Sequence, residues 1–212
     1  WFHFTGITPA ISKNAGEVCI EAAKAAKELG ITVSADMNYR KNLWTPEEAQ
    51  ATMIPMMKYV DVSIGNEEDA EKCLGVAAEG VDVTVGEIDP EAYRPVVQEL
   101  VDKFGFKKVA ITLRESFSAD DNGWSAIYYD GDEILVGNKY PVRIVDRVGG
   151  GDSFCAAMIY GLNQSDWNSR QVLDFAVASS AMSHTFHGDF NLVSVKEVMA
   201  VAGGDTSGRV QR

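Results

Sequence analysis

Apolar residues recur along the chain at two different periods, and segments of the two kinds alternate. Behind Ser12, a residue type that favours helix N-termini, one helical stripe is formed by Ala15, Val18, Cys19, Ala22, Ala26 and Leu29. Gly30 follows as a natural helix stop, and the β-rich run ITVSA begins at the next residue. The pattern therefore predicts a helix over 12–29 and then a short strand.

The same succession repeats further along the chain. Thr45, Pro46 and Glu48 match a capping box with proline at the first helical position, which predicts a helix that Pro55 should kink. Further helices are predicted at 66–75, 89–104, 152–163, 168–186 and 194–202, and strands at 60–64, 107–113, 124–129, 132–137 and 139–146. The Asp130-Gly131 pair between two of these strands is a strong hairpin signal. A surface loop is predicted at 77–88, which is rich in glycine and acidic residues.

Repeated β-then-α units predict an α/β fold with a mostly parallel sheet and helices on both faces. The length of 212 residues suits one domain, so 1–212 is assigned to a single domain. The chain opens on WFHFTGITPA, which is already apolar and has no initiator Met. We therefore expect the domain to be incomplete at its N-terminus.

Composition and charge narrow the classes of partner. The formal net charge is −12, which argues against nucleic acid or an anionic membrane as the main partner, because both need a basic face. A small anionic ligand needs only a local positive site and is not excluded. The three cysteines are widely spaced and form no CxxC pair, which is typical of reduced thiols in a cytoplasmic protein.

The stretch VGGGD, residues 148–152, is the strongest chemical signal in the sequence. Glycines between a strand and a helix let backbone N–H groups surround an anion, and the helix N-terminus adds partial positive charge. Phosphoryl transfer to an alcohol needs such donors and also a carboxylate that accepts the hydroxyl proton, here Asp152. The alternative is a glycine turn in which Asp152 is a plain helix N-cap.

Two histidines, His184 and His187, have the spacing of an H-x-x-H motif. A metal site would need a third ligand, and only Asp189 lies nearby in the sequence. We interpret the two residues as a histidine pair at a helix end.

The segment DRVGGGDSFCAAMI closely resembles the second signature of the PfkB family of sugar kinases, also called the ribokinase family. The resemblance implies a three-layer ribokinase-like fold, with Asp152 as catalytic base and Gly149, Gly150 and Gly151 as an anion hole. It also implies ATP and Mg²⁺ as cofactors, with a monovalent cation as a further candidate. The residues that it assigns to nucleotide binding are Asn66, Thr112, Arg114, Gly149, Gly151, Val177 and Ser180.

Three positions, Asp69, Arg114 and Val177, depart from the family pattern. Asp69 stands where the family's Asn-x-x-Glu segment carries glutamate, and the resemblance gives it an indirect role in holding Mg²⁺. Arg114 replaces the glycine of a Thr-Leu-Gly segment, so its contacts to ribose or phosphate are expected to differ. Val177 stands where many relatives have asparagine, so a contact to the base there would be apolar.

The segments GITPAIS and ADMNYRKNLW narrow the resemblance to the 2-keto-3-deoxygluconate kinase branch. They imply that Ile7, Asn38 and Arg40 bind the sugar acid together with Asp152, since an arginine fork matches a carboxylate or a phosphate. The alternative for Arg40 is an ordinary surface arginine. The resemblance covers nearly the whole chain, but the family's first strands and β lid are expected upstream of Trp1.

The resulting functional prediction is ATP-dependent phosphorylation of a sugar acid, 2-keto-3-deoxygluconate, to its 6-phosphate. The alternatives are another PfkB sugar kinase, such as a fructokinase or a ribokinase, and a non-catalytic nucleotide-binding fragment. The resemblance further implies a homo-oligomer for the full-length protein.

Overall fold

The computed structural model describes residues 1–66, 68–77 and 89–205. The strands are β1 (Phe2–Thr5), β2 (Val33–Asp36), β3 (Val62–Asn66), β4 (Lys108–Ser116), β5 (Asp121–Tyr129), β6 (Ile134–Val136) and β7 (Tyr140–Arg143). The helices are α1 (Ile7–Ile11), α2 (Lys13–Glu28), α3 (Pro46–Met57), α4 (Asp69–Leu74), the 3₁₀ helix η1 (Pro90–Tyr93), α5 (Arg94–Phe104), α6 (Gly150–Leu162), α7 (Ser169–Ser183) and α8 (Val195–Ala202). The sheet order is β1-β2-β3-β4-β5-β6, and β7 pairs with β5.

The chain divides into two compact units. The first unit contains Trp1–Leu113 and Ile127–Ile134. Its strands β1, β2 and β3 pair in parallel, and β3 pairs in parallel with β4. The core residues of this unit come from the strands and from α2, α3, α4 and α5, and they include the fully buried Met53, Met56 and Tyr93. Parallel strands joined through helices are the arrangement that the repeated β-then-α pattern predicts.

The second unit contains Arg114–Ala126 and the chain from Leu135 onward. Here β5 and β7 pair antiparallel, with Asp121 opposite Arg143. Helices α6 and α7 pack closely against each other, and α7 also contacts α8. Small residues permit this approach, since Ala176, Ala178 and Ser180 on α7 are all fully buried.

Local capping signals predicted several helix boundaries correctly. The Ser12 side chain accepts from the Ala15 N–H, and Thr45 and Ser194 form the capping boxes that their sequences indicate. The predicted helix at 89–104 is a 3₁₀ turn followed by α5, and α3 continues through Pro55 to Met57. The short helix α1 was not predicted, since it has only five residues and no side-chain cap.

Two sequence-based assignments are not tested. The predicted loop at 77–88 lies almost wholly outside the described residues, which include only Ala77 of that segment. The assignment of the chain to a single domain also stays a prediction. Across the described residues, no helix combines the length and the apolar character needed to cross a membrane.

Candidate active site

In the first unit, predicted site residues gather where parallel strands end. Thr5, the last residue of β1, pairs with Asp36, the last residue of β2, and Asn66, the last residue of β3, pairs with Thr112 on β4. Because the carboxyl ends of parallel strands meet at one edge of a sheet, the loops that follow them lie at that edge. The segments that follow β1, β2 and β3 carry Ile7 at the start of α1, Asn38 and Arg40 in a loop, and Asp69 at the start of α4.

The Thr5 hydroxyl joins the first two of these segments. Its Oγ1 accepts from the Asn38 amide at 3.2 Å and from the Ile7 N–H at 3.4 Å. Asn38 has a positive φ of 41°, a conformation that asparagine tolerates better than most residues. Gly6 is required sterically, because a Cβ there would lie 2.0 Å from the Met37 carbonyl oxygen. Two of the predicted sugar-acid residues are therefore held by a threonine that the sequence analysis did not select.

Arg40 lies exposed after β2, beside the same network. Its guanidinium donates to the Tyr39 carbonyl at 3.1 Å and makes no other hydrogen bond within the described parts of the chain. The neighbouring Tyr39 N–H donates to Asp69 Oδ1 at 2.9 Å. The guanidinium is thus held by the carbonyl of the preceding residue, and most of its N–H groups have no acceptor among the described residues.

Asn66 and Asp69 close a tight turn between β3 and α4. The Asn66 side-chain oxygen accepts from the backbone N–H groups of Glu68 and Asp69, and the Asn66 N–H donates to Asp69 Oδ2 at 2.8 Å. Asp69 is 3% exposed, and burial raises its pKa, although the N–H donors from Asn66 and Tyr39 oppose that rise. Both Asp69 oxygens are occupied by backbone donors, which fits an indirect rather than a direct relation to a metal ion.

Thr112 lies beside this turn on β4. Its side chain is buried, and its Oγ1 donates to the Gly65 carbonyl at 3.4 Å. Thr112 thus bonds to the residue immediately before Asn66. The contact links β4 to the end of β3 within the first unit.

In the second unit, the glycine stretch begins α6 as the sequence predicts. Gly149 is the N-cap residue, with a left-handed φ of 79°, and α6 starts at Gly150. No side chain caps this helix. The prediction that a glycine loop leads into a helix is confirmed, whereas the alternative of Asp152 as the N-cap is wrong, because Asp152 is the third helical residue.

The start of α6 leaves an anion-binding arrangement open. Among the described residues, the backbone N–H groups of Gly151 and Asp152 donate to no protein acceptor. A Cβ built on Gly151 would meet no atom within 4 Å. Asp152 is exposed, and its carboxylate makes no hydrogen bond or ion pair with the described residues. Two unpaired N–H donors at the positive end of a helix, beside an exposed carboxylate, are what an anion and an adjacent hydroxyl require.

Gly149 and Gly150 are required sterically, because a side chain at either position would clash with the protein. A Cβ on Gly149 would lie 2.3 Å from the Asp189 carbonyl oxygen, and one on Gly150 would lie 2.5 Å from His184 Cε1. Gly150 is buried and its side faces the protein, so its glycine is explained by packing. Of the three, Gly151 is the one at which a Cβ would meet no described atom.

His184 supports the loop from the protein side. The residue is 5% exposed, its Nδ1 donates to the Ser180 carbonyl at 2.6 Å, and its ring packs on Trp124 with centroids 4.7 Å apart. Burial lowers the pKa of His184. The Ser180 hydroxyl in turn donates to the Gly150 carbonyl at 2.7 Å. His184 is at a helix end as predicted, and the described residues contain no group of three potential metal ligands.

Val177 and Arg114, two further residues predicted to bind the nucleotide, differ in solvent exposure. Val177 is 0% exposed, and its Cγ2 would lie 3.1 Å from a Cβ on Gly137. Arg114 is exposed. Val177 therefore shapes the packing around Gly137, while Arg114 is accessible to a ligand.

The comparisons with known proteins agree with this geometry. The family model described as pfkB family carbohydrate kinase matches residues 2–194. The chain belongs to this family.

Solved structures of the family share the fold. The crystal structure of 2-dehydro-3-deoxygluconokinase from Thermotoga maritima is 48% identical with a TM-score of 0.89, and the match covers 96% of this chain and 60% of that one. A fructokinase from Vibrio cholerae, solved with fructose, ADP and calcium ion, has a TM-score of 0.71 at 24% identity and covers 94% and 59%. These matches confirm the predicted ribokinase-like α/β fold.

A curated relative points to the same class of enzyme. The 2-dehydro-3-deoxygalactonokinase of Haloferax volcanii is 29% identical over 207 residues, which are 98% of this chain and 58% of the relative. The chain therefore spans about three fifths of the length of the relatives from Haloferax volcanii and Thermotoga maritima. The curated relatives of this chain include sugar-acid kinases.

Several residues that organise the site were missed by the sequence analysis. They act through contacts between distant segments, and no local pattern marks them. In the first unit these residues are Thr5 and Gly6, and in the second they are Asn191 and, as a support of Gly150, His184.

Proposed function

We propose that this chain carries the phosphoryl-transfer site of an ATP-dependent sugar-acid kinase, with 2-keto-3-deoxygluconate as acceptor and its 6-phosphate as product. The main support is the start of α6, where the N–H groups of Gly151 and Asp152 have no acceptor among the described residues and lie beside the exposed Asp152 carboxylate. The family membership supports phosphoryl transfer to a carbohydrate.

Asp152 acts as the general base in this proposal. The proton of the acceptor hydroxyl passes to an Asp152 carboxylate oxygen as that hydroxyl attacks the γ-phosphorus of ATP, and the bond from that phosphorus to the β,γ-bridging oxygen breaks to release ADP. The Gly151 and Asp152 N–H groups donate to the phosphoryl oxygens, whose negative charge they and the helix N-terminus stabilise. Gly149 and Gly150 set the backbone course that places these donors.

Further residues are proposed for the nucleotide, each argued from its own surroundings. Asn66 has an amide nitrogen that donates to no acceptor among the described residues, so it is available to a phosphate oxygen. Arg114 is an exposed cation, and Thr112 holds the backbone before Asn66. When bound, Mg²⁺ would neutralise charge on the phosphates. The residues fit this ion only through indirect support, since both Asp69 oxygens accept backbone N–H groups.

Two predicted nucleotide residues take a supporting role. Val177 and Ser180 are fully buried, and the Ser180 hydroxyl is committed to the Gly150 carbonyl. We assign them to supporting the residues that bind the nucleotide, not to direct contact with it.

For the sugar acid that accepts the phosphoryl group, the proposed binding residues are Arg40, Asn38 and Ile7. Arg40 is exposed, and most of its guanidinium N–H groups have no acceptor in the part of the chain that the structure describes. A planar guanidinium pairs with a carboxylate through two parallel hydrogen bonds. Thr5 fixes the backbone of Ile7 and the amide of Asn38 next to it. A neutral hexose or pentose has no carboxylate to occupy this fork, which favours a sugar acid over fructose or ribose.

The 4-epimer of the substrate is the second candidate. The relative from Haloferax volcanii acts on 2-dehydro-3-deoxygalactonate according to its name, and it aligns with almost the whole chain. The two acids share the carboxylate and the keto group and differ only at one hydroxyl. Arg40 therefore does not distinguish them.

The test is a coupled kinase assay with a panel of acceptors at equal concentration. We expect the highest kcat/KM for 2-keto-3-deoxygluconate, with its 4-epimer next and fructose and ribose far below. A preference for a neutral sugar would contradict the sugar-acid assignment, and the absence of turnover on every acceptor would contradict the kinase activity of this chain. A cytoplasmic location, a monovalent cation and a homo-oligomer stay predictions.

A further inference from the structure

The segment 184–191 lies against the inner side of the glycine loop. The carbonyl of His184 accepts from the N–H groups of Val145 and Asp146, and the Gly188 N–H donates to Asp146 Oδ2 at 3.1 Å. These bonds join the segment to the chain that leads into the glycine loop. They add to the close approaches that Gly149 and Gly150 make to the same segment.

Asn191 ends this segment with the most concentrated set of side-chain bonds near α6. Its amide nitrogen lies 2.6 Å from Ser153 Oγ, 3.0 Å from Ser179 Oγ and 3.1 Å from the Ser179 carbonyl oxygen. Two N–H hydrogens are thus shared among three acceptors. The amide oxygen accepts from the Val193 N–H at 3.3 Å, so both ends of the amide are occupied.

Ser153 connects Asn191 to the reacting end of the helix. It follows Asp152 directly in the chain, and its own N–H donates to the Gly149 carbonyl at 2.8 Å. Ser153 is buried, so its hydroxyl has no alternative partner in bulk water. We propose that Asn191 is a positioning residue that fixes the first turn of α6, and through it the direction of Asp152 and the N–H donors beside it.

Asn191 and His184 contact the start of α6 without blocking its exposed side. The bonds of Asn191 and the ring of His184 all lie on the protein side, whereas Gly151 has open space and Asp152 is exposed. A small displacement of a reacting group reduces turnover strongly, because phosphoryl transfer depends on in-line geometry. Loss of Asn191 should therefore affect turnover more than the binding of either substrate. This kinetic consequence rests on the proposed kinase function, whereas the positioning itself does not.

The matched control lies at the other end of the same helix. The Asn163 amide donates to the Ile159 carbonyl at 2.7 Å, so Asn163→Ala also removes a side-chain bond to α6, but ten residues beyond Ser153. The test variants are Asn191→Ala, Ser153→Ala and the double variant. For the two test residues we expect kcat to fall about 10-fold or more, with KM changed less than about 3-fold. The double variant should lose about as much as Asn191→Ala alone, because both changes remove the bond from the Asn191 amide to Ser153 Oγ. Asn163→Ala should keep wild-type kcat.

A second readout does not depend on activity. The Ser153 amide donates to the Gly149 carbonyl, so its hydrogen–deuterium exchange should become faster in Asn191→Ala and in Ser153→Ala, and should stay at the wild-type rate in Asn163→Ala. If the wild-type chain phosphorylates nothing, the proposed function fails, and the exchange data alone decide the positioning role. Ser153→Ala keeps the test decisive if Asn191→Ala does not fold. Unchanged exchange of the Ser153 amide, or faster exchange that is equal along all of α6, would overturn the inference, as would an unchanged kcat in an active enzyme.

Discussion

Replacing single glycines by alanine separates the packing role of the loop from its ligand-binding role. In Gly150→Ala, the new Cβ would lie 2.5 Å from Cε1 and 2.6 Å from Nε2 of His184. Ordinary contact begins near 3.4 Å, so the ring must move by roughly 1 Å. The ring is confined, because it is bonded to the Ser180 carbonyl and packed on Trp124.

The magnitude follows from these constraints. Overpacking of this kind costs about 1–3 kcal/mol, and the gain from replacing glycine in a helix is at most about 1 kcal/mol. The net destabilisation should be about 1–2 kcal/mol, which corresponds to a fall in Tm of about 2–8 °C in a chain of this length. In Gly151→Ala the new Cβ meets nothing within 4 Å, so the free energy of unfolding should stay the same or rise by about 0.5–1 kcal/mol.

ATP binding should show the opposite order, with a larger effect in Gly151→Ala than in Gly150→Ala. The Cβ of Gly151→Ala points into the space that we assign to the phosphate, so ATP affinity should fall although the protein is no less stable. Thermal unfolding and isothermal titration with Mg-ATP on both variants measure the two effects. The reasoning would be refuted if Gly151→Ala bound ATP as tightly as the wild type, or if Gly150→Ala unfolded at the wild-type temperature.

Further predictions concern the charged residues. Arg40→Lys keeps the charge but loses the fork, so kcat/KM for the keto-deoxy acid should fall relative to a neutral hexose if the carboxylate is the partner, and fall for all acceptors alike if the phosphate is. Asp69→Asn places an amide opposite the N–H groups of Asn66 and Tyr39 and should cost about 1–3 kcal/mol in urea unfolding; an unchanged midpoint would contradict the contacts that we describe. Burial holds the pKa of His184 below its unfolded value of about 6.5, so the neutral ring is favoured on folding, and stability should be lost as pH falls through 6.5. His184→Gln should flatten the dependence of Tm on pH between about 5 and 7, and an equal slope in both proteins would contradict this assignment.

Local sequence signals were sufficient for the parts of the fold that local physics decides. The capping residues Ser12, Thr45 and Ser194 each begin a helix where predicted, because their side chains satisfy N–H groups within three residues. The glycine stretch before Asp152 was likewise recognisable, since a turn with left-handed backbone before a helix needs glycine. The same stretch carried the resemblance to the family.

The individual role of each glycine was not accessible from the sequence. Gly150 was assigned to the phosphate site together with its neighbours, but its side faces His184, which lies 34 positions later in the chain. The bond from Asn191 to Ser153 spans 38 positions. Such contacts depend on how α6 and α7 pack, and neither hydrophobic period nor turn chemistry encodes that packing one residue at a time. The assignment of Val177 to the base likewise could not anticipate its complete burial.

Substitution of Asp152 by asparagine is the most direct test of the central claim that the start of α6 is the phosphoryl-transfer site. The change is nearly isosteric at an exposed position in the first helical turn, and the lost attraction to the helix N-terminus costs only about 0.3–1 kcal/mol. Turnover of 2-keto-3-deoxygluconate and ATP affinity should be measured on the wild-type and Asp152→Asn chains side by side. The account predicts a fall in kcat of at least about 10²-fold with ATP affinity nearly unchanged. Wild-type turnover in the asparagine variant would contradict it.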